Sequence, residues 1–298
     1  MTAAALRQRS INGWGWAFVL PTMAGLIILN IIPIIQTALQ SFYQAGDFGQ
    51  GNTFVGLSNF AALFRDAQVG QAVLNTFAYA LIEVPFSIII AFIMAVMLNQ
   101  PIIGKTVFRT IFFLPMVAAP AAVAMVWRWL YNNNFGLLNR ILQAIGSRPV
   151  VWISNPQGAI GAIVAIGIWS CVGYNMVLLL AGLQEIPRDY YEAASIDGAG
   201  IVRQQLIITV PLLSPTIYFV SVTRVIAAMQ VFDLIFMVMD KANPALPKTQ
   251  SLVYLFYQYS FMENNKGYGA AIVLLLLVII LMLTGINQFV QKHWVHYG

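Results

Sequence analysis

Residues 187–200 read PRDYYEAASIDGAG, and this polar stretch stands between two strongly apolar runs. The run before it ends in VLLLAGL, and the run after it contains LIITVPLL. Pro187 favours the first turn of a helix, because that turn needs no backbone donor there. Gly198 favours the end of a helix, since glycine readily adopts the left-handed conformation. The stretch therefore predicts a short helix, a turn and the start of a second helix.

The composition places this polar stretch in a membrane protein. The chain has 298 residues, of which 60% are hydrophobic and 8% are charged, whereas soluble domains carry about 25% charged residues. So few charges do not cover a water-facing surface. The 15 Lys and Arg residues are scattered, which favours the flanks of membrane spans and argues against a nucleic-acid partner. The single cysteine, Cys171, excludes an intrachain disulfide and predicts a small core residue.

Six apolar segments are long enough to cross a bilayer, which takes about 20 residues in a helix. The N-terminus has a basic start like a signal peptide, but its apolar stretch continues to about Leu39, so we interpret it as a first span. The predicted fold class is an all-α polytopic membrane protein with one domain over residues 1–298. The predicted spans are Ala17–Leu39, Val73–Leu98, Thr110–Tyr131, Gly158–Leu183, Leu206–Met239 and Gly269–Val290.

The fifth span and the loops carry further signals. Pro211 and Pro215 lie in the first third of that span and predict a kink. An even number of spans places both termini on one side of the membrane. The loops on the two sides each hold seven Lys and Arg residues, so the charge rule alone does not decide the orientation.

The sequence shows no sign of catalysis. It contains no Gly-rich loop ending in Gly-Lys-Ser or Gly-Lys-Thr, so no ATP site is expected on this chain. The only histidines, His293 and His296, stand at the C-terminal tip without acidic or cysteine neighbours, and we expect no metal site there. No Ser-His-Asp set or paired carboxylates stand out, and we do not expect an enzyme.

The segment EAASIDG and the residues behind it resemble the EAA motif of membrane subunits of binding-protein-dependent ABC importers. That motif reads EAA, three residues, Gly, nine residues, Ile, one residue, Leu-Pro. Glu192 and Gly198 stand in this register with Ile208, and Val210 replaces the usual Leu before Pro211. The segments GLQEIP, IGKTVFRTIFFLP, FGLLN and the run from Arg224 to Asp233 resemble the sugar-permease branch.

The resemblance implies a type I ABC importer permease fold in which residues 187–200 form a cytoplasmic coupling helix. The coupling residues would be Glu192, Ala193, Ala194, Asp197 and Gly198. It implies a second related permease, two ATP-binding subunits that hold ATP and Mg²⁺, an extracytoplasmic substrate-binding protein and a sugar substrate. It also implies the cytoplasmic membrane of a prokaryote, with both termini cytoplasmic and no cofactor on this chain.

A stripe of small residues on span four and a charged position on span five predict the substrate path. The proposed path residues are Gly167, Ser170, Cys171, Tyr174, Arg224, Ala228 and Val231. We predict that Tyr174 and Arg224 line one cavity, since a sugar needs a ring face and hydrogen-bond donors. On a continuous helix Asp233 lies about 180° from Arg224, so Asp233 and Gln230 are expected on another face as intramembrane polar support.

Two interpretations of Arg224 stay open at this point: contact with the substrate, or a structural ion pair with Glu83 of span two. The function also has alternatives. One is an ion-coupled secondary transporter, which favours internal repeats that we do not find. Another is an ABC permease for glycerol phosphate esters. A membrane scaffold is a third, and it leaves the EAA spacing unexplained.

Overall fold

The computed structural model describes residues 3–44 and 53–294, which are almost entirely helical. In these residues four uninterrupted helical segments are long and apolar enough to cross a membrane, and two pairs of helices joined at sharp bends make six if each pair counts as one crossing. The four segments are Gly15–Gln40, Ala67–Asn99, Ala159–Gln184 and Lys266–Lys292. The bent pairs are Lys105–Val117 with Pro120–Leu130, at 98°, and Ile201–Leu212 with Ser214–Met229, at 72°.

The chain divides into two compact units, of which the first comprises residues up to Arg65 together with Phe256–Leu274. Within its N-terminal part, the Nδ2 atom of Asn59 donates to the carbonyl oxygens of Ser41 at 2.8 Å and Tyr43 at 3.0 Å. A π-helical turn joins the first two helices into one long rod. The elements are α1 (Ala3–Leu26), the π turn Ile27–Ile31, α2 (Ile32–Gln40), the antiparallel strands β1 (Tyr43–Gln44) and β2 (Thr53–Phe54), and α3 (Ser58–Leu63).

The second unit comprises Asp66–Leu255 and Leu275–Gly298 and holds the predicted site residues. Its helices in chain order are α4 (Ala67–Asn99), α5 (Lys105–Val117), α6 (Pro120–Leu130), α7 (Leu137–Ala144), α8 (Ala159–Gln184), α9 (Asp189–Ile196), α10 (Ile201–Gln204), α11 (Val210–Leu212), α12 (Ser214–Met229), α13 (Asp233–Val238) and α14 (Leu252–Tyr257). The π turn Gln205–Thr209 joins α10 to α11, the 3-10 turn Leu246–Lys248 precedes α14, and the π turn Gln258–Met262 follows it. Helix α15 (Lys266–Trp294) ends the described chain.

Glycines on α8 allow its neighbours to approach closely. A Cβ on Gly167 would overlap the hydroxyl of Tyr79 on α4, and a Cβ on Gly173 would overlap the carbonyl oxygen of Phe112 on α5. Small residues at such contacts are the usual basis of helix packing in membranes, where apolar burial gives little drive for association. Helix α8 is accordingly the most buried of the uninterrupted spans.

Two of the predicted spans are not single straight helices. The predicted span Thr110–Tyr131 breaks at residues 118–119, because Pro120 begins a new helix and holds Ala119 in extended backbone. The predicted span Leu206–Met239 bends beside Pro211 and Pro215, as expected, but it also ends at Met229 and resumes at Asp233. That second break was not predicted, since no Pro or Gly marks it.

Candidate functional site

The EAA segment forms the predicted helix–turn–helix. Helix α9 ends in a Schellman motif, in which the N–H of Ala199 donates to the carbonyl of Ala194 at 2.9 Å and that of Gly198 to Ser195 at 3.1 Å. Gly198 has the left-handed φ of 77° that this motif needs. The predicted helix bounds are close to those observed, with the first helical residue at Asp189 rather than Pro187. We call residues 187–212 the coupling element.

Three side-chain contacts that were not predicted from the sequence hold α9 against residues 199–209 of the coupling element. The Nε2 atom of Gln204 donates to Ser195 Oγ and to the Ala199 carbonyl, both at 2.9 Å. The hydroxyls of Tyr191 and Thr209 are hydrogen-bonded at 2.9 Å. These three contacts hold α9 against the chain that leads into α11, and none of them needs a partner protein. The spacing of these residues carries no recognisable signal in the sequence.

The surface of the coupling element is exposed and mixed in chemistry. Glu192 is exposed and makes no ion pair or hydrogen bond through its carboxylate within the described parts of the chain. Ile196 is 87% exposed, and Ile201 and Val202 are about as open, at 76% and 73%. Clustered exposed apolar residues beside a free carboxylate are typical of a protein-binding surface.

A buried polar cluster lies halfway along the long helices. Glu83, the central residue of α4, is fully buried, and Arg224 on α12 donates from Nη2 to its Oε1 at 2.6 Å. Cys171, midway along α8, donates from Sγ to the same oxygen at 2.9 Å. An ion pair inside a membrane offsets the high cost of each isolated charge. The structural alternative for Arg224, a pair with Glu83, is therefore what the structure contains.

An open cavity of about 290 Å³ adjoins this cluster, and both unexpected helix breaks border it. Ala118 lies at the α5–α6 break, and Gln230 to Asp233 lie at the α12–α13 break. Irregular backbone at membrane depth is tolerated where it lines a cavity or is buried in protein. The predicted path residues on its wall are Gly167, Ser170, Cys171, Arg224 and Val231.

The structure places four of the predicted residues differently from the prediction. Tyr174 does not line this cavity, and the aromatic residue beside Arg224 is Tyr79 of α4 instead. Ala228 is packed into the interior, and its neighbour Ala227 faces the cavity. Gln230 and Asp233 share the cavity wall with Arg224, because the helix break cancels the rotation expected for a continuous helix.

Ser251 bonds to the backbone at the break at residues 230–232. Its Oγ donates to the carbonyl of Val231 at 2.5 Å, a contact between residues twenty positions apart. That contact satisfies one of the backbone groups left over when α12 ends. Within residues 3–44 and 53–294 no group of three or more His, Cys, Asp or Glu side chains is placed to hold a metal ion. The prediction on the terminal histidines concerns side chains outside the described part of the chain.

The sequence matches the family model of binding-protein-dependent transport system inner membrane components over residues 55–296. The chain belongs to this family. Family membership makes it a multi-pass permease subunit of an ABC importer, and the EAA motif is typical of such subunits. The secondary-transporter and scaffold alternatives are thereby set aside.

Curated relatives cover nearly the whole of this permease. A probable ABC transporter permease, YesP of Bacillus subtilis, is 33% identical over 99% of this chain and 96% of its own length. The trehalose/maltose transport permease MalF of Thermococcus litoralis is 32% identical over 91% of this chain and 90% of its own length. An sn-glycerol-3-phosphate transport permease, UgpA of Agrobacterium fabrum, is 34% identical over 93% of this chain and 95% of its own length.

A solved structure supports the fold of the permease. A chain of a bacterial alginate ABC transporter, crystallised in complex with an alginate pentasaccharide-bound periplasmic protein, superposes with a TM-score of 0.86 over 98% of both chains. The two sequences are 21% identical, so this likeness concerns the fold alone. The predicted type I importer permease architecture is confirmed.

Proposed function

We propose that this permease translocates a sugar or oligosaccharide across the cytoplasmic membrane of a prokaryote. Relatives of similar identity include permeases named for trehalose/maltose and for lactose transport. The cavity beside the Glu83–Arg224 pair supports the proposal, since it combines the Tyr79 ring, the Ser170 hydroxyl and the guanidinium of Arg224. Such groups replace the water that sugar hydroxyls lose on entry.

The observation that carries the importer mechanism is the exposed coupling element with the unpaired carboxylate of Glu192. We propose that it docks on an ATP-binding subunit, where Glu192 meets a basic residue. Asp197 and Gly198 set the turn, and Ala193 and Ala194 let the partner's backbone approach closely. ATP and Mg²⁺ would be bound by two such subunits. The complex would also hold a second related permease and an extracytoplasmic substrate-binding protein.

The same proposal orients the chain. The coupling element follows the fourth of six crossings, so it lies on the side of the N-terminus. Because ATP-binding subunits work in the cytoplasm, both termini would be cytoplasmic. The segment between α6 and α8 would then face the other side of the membrane, since it lies at the opposite end of α8 from α9.

Reversing the charge of Glu192 tests the coupling role. In the importer reconstituted with its ATPase and binding protein, Glu192→Lys should abolish substrate-stimulated ATP hydrolysis and uptake while the permease still inserts. Glu185→Lys is the matched control, because Glu185 is an exposed carboxylate just before the element and should retain both activities. Normal uptake by Glu192→Lys would contradict the coupling role.

Glycerol phosphate esters are a second candidate substrate class. The 34% identity to UgpA supports this class as strongly as the 32% identity to the trehalose/maltose permease supports a sugar. Ligand binding to the cognate binding protein separates the two. We expect saturable binding of a mono- or oligosaccharide and none of sn-glycerol-3-phosphate. The reverse result would replace the sugar proposal and leave the coupling mechanism unchanged.

A further inference from the structure

The short helix α7 presents an apolar face that points away from the protein. Asn139 is buried against the fold, and at 100° per residue Leu137 and Ile141 lie about 20° from the opposite direction, with Ile145, just past the helix end, about 60° from it. Their exposed fractions are 42%, 52% and 74%. We call these three residues the outer apolar face.

Asn139 fixes this orientation through a set of hydrogen bonds. Its Nδ2 atom donates to the carbonyls of Asn133 at 3.2 Å and Val150 at 3.0 Å. Its Oδ1 atom accepts from the Val150 N–H and from Trp152 Nε1, both at 3.0 Å. A side chain that uses donor and acceptor groups in this way holds the helix in one rotation. The outer apolar face is therefore a fixed feature of the surface.

The bonds of Asn139 also join α7 to a group of aromatic rings. Trp152 stacks on Tyr131 with ring centroids 5.5 Å apart, and Tyr131 packs on Trp127 at 5.2 Å. These rings stand where α6 ends and α8 is about to begin. Trp and Tyr concentrate at the boundary between hydrocarbon and headgroups. This aromatic cluster supports a position of α7 at headgroup level, at the membrane surface opposite the coupling element.

The charge of the segment is complementary to anionic headgroups. Residues 132–158 contain two arginines, Arg140 and Arg148, and no Asp or Glu. Both arginines are exposed, and neither makes an ion pair with any residue that the structure describes. A guanidinium group binds the oxygens of a phosphate in a bidentate fork.

We propose that α7 is an interfacial anchor that binds anionic phospholipids. The outer apolar face enters the acyl boundary of the bilayer leaflet opposite the coupling element, and Arg140 and Arg148 bind lipid phosphates beside it. An amphipathic helix with apolar and basic faces is the usual form of such an anchor. The anchor holds the segment between α6 and α8, and with it the outer ends of both helices, at a fixed height.

Depth-dependent quenching tests where the outer apolar face lies. The importer is reconstituted into vesicles of phosphatidylcholine and phosphatidylglycerol, with an environment-sensitive fluorophore on Ile141→Cys. Gln143→Cys is the matched control on the side of α7 nearer Asn139, and the wild type, whose Cys171 is buried, gives the labelling background. We expect the Ile141 probe to be blue-shifted and quenched by nitroxides near the headgroup, and the Gln143 probe much less so.

Lipid charge tests the arginines in the same vesicles. Nitroxide-labelled phosphatidylglycerol should quench the Ile141 probe more effectively than labelled phosphatidylcholine, by about fivefold per arginine. Arg140→Gln with Arg148→Gln should bring that ratio to about one. Equal quenching by both lipids in the wild type would overturn the phosphate contacts. A probe that stays open to aqueous iodide until the binding protein is added would overturn the anchor and identify a protein-docking surface.

Discussion

The polar cluster at mid-membrane and the coupling element hold their charges in opposite ways. Glu83 is fully buried and forms an ion pair with Arg224 of the same chain. Glu192 is exposed and forms no ion pair with any residue that the structure describes. The difference follows from the surroundings, because an unpaired charge has a high free energy in hydrocarbon and is stabilised by hydration in water. An ion pair within the chain holds helices together, whereas an unpaired carboxylate on the exposed coupling element is available to another protein.

The glycines of the two regions differ in the same way. Gly167 and Gly173 on α8 are required for space, since a side chain there would collide with α4 or α5. Gly198 has open space around it and is required for its φ of 77°. Packing controls the membrane region and local backbone geometry controls the coupling element. Substitutions at these positions can test the two requirements separately.

The largest effect is expected from Arg224→Ala. It leaves the buried carboxylate of Glu83 without its ion partner, which typically costs about 3–5 kcal/mol. We expect a large loss of folded permease, measured as monodisperse yield and thermal stability in detergent. The exchanged pair Glu83→Arg with Arg224→Glu should recover much of the stability. An unchanged stability of Arg224→Ala would show that the ion pair does not hold α4 and α12 together.

A smaller but clear loss is expected from Gly173→Val. The added side chain meets the Phe112 backbone, and forced overpacking costs about 1–3 kcal/mol. Gly161→Val on the same helix is the matched control, because nothing lies within 4 Å of a Cβ at that position. Thermal unfolding of the two variants side by side decides the point. Equal melting temperatures would mean that α5 and α8 are not closely packed there.

Gly198→Ala should act on coupling more than on folding. A non-glycine residue at this φ costs about 1 kcal/mol, and the strain falls on the turn of the coupling element. We expect global stability close to wild type and a reduced rate of uptake at unchanged ATPase assembly. Gly200→Ala is the control, since Gly200 has an ordinary negative φ and open space. A full loss of folded protein in Gly198→Ala would contradict the claim that Gly198 affects only the turn of the coupling element.

The smallest effect is expected from Gln204→Ala. It removes the two hydrogen bonds to Ser195 and Ala199, and each such bond contributes about 0.5–1.5 kcal/mol when fully protected. Exposure reduces this contribution. Hydrogen exchange of residues 189–204 should become faster by a few-fold, without a change in melting temperature. Unaltered exchange would show that the Tyr191–Thr209 contact alone holds the element.

The coupling element and the number of apolar crossings were determined by the sequence itself. Pro187, the alanine pair and Gly198 act through local backbone preferences, so the helix bounds follow from residues that are neighbours in the chain. Apolar length likewise identified the six segments, because the hydrocarbon thickness sets one scale for all of them. The pair of Glu83 with Arg224 was foreseeable as one of two alternatives, since intramembrane charges seek each other.

Which residues face the cavity depends on how the helices pack in three dimensions. At the break at residues 230–232 the Val231 carbonyl accepts a hydrogen bond from Ser251, twenty residues further along the chain. No Pro or Gly next to the break predicts it from the sequence. The choice of Tyr79 over Tyr174 depends on how α4 and α8 are rotated against each other, which the close contact at Gly167 fixes. A periodicity assigns residues to faces of a continuous helix, but the rotation and continuity of a helix are set by the partners it packs against.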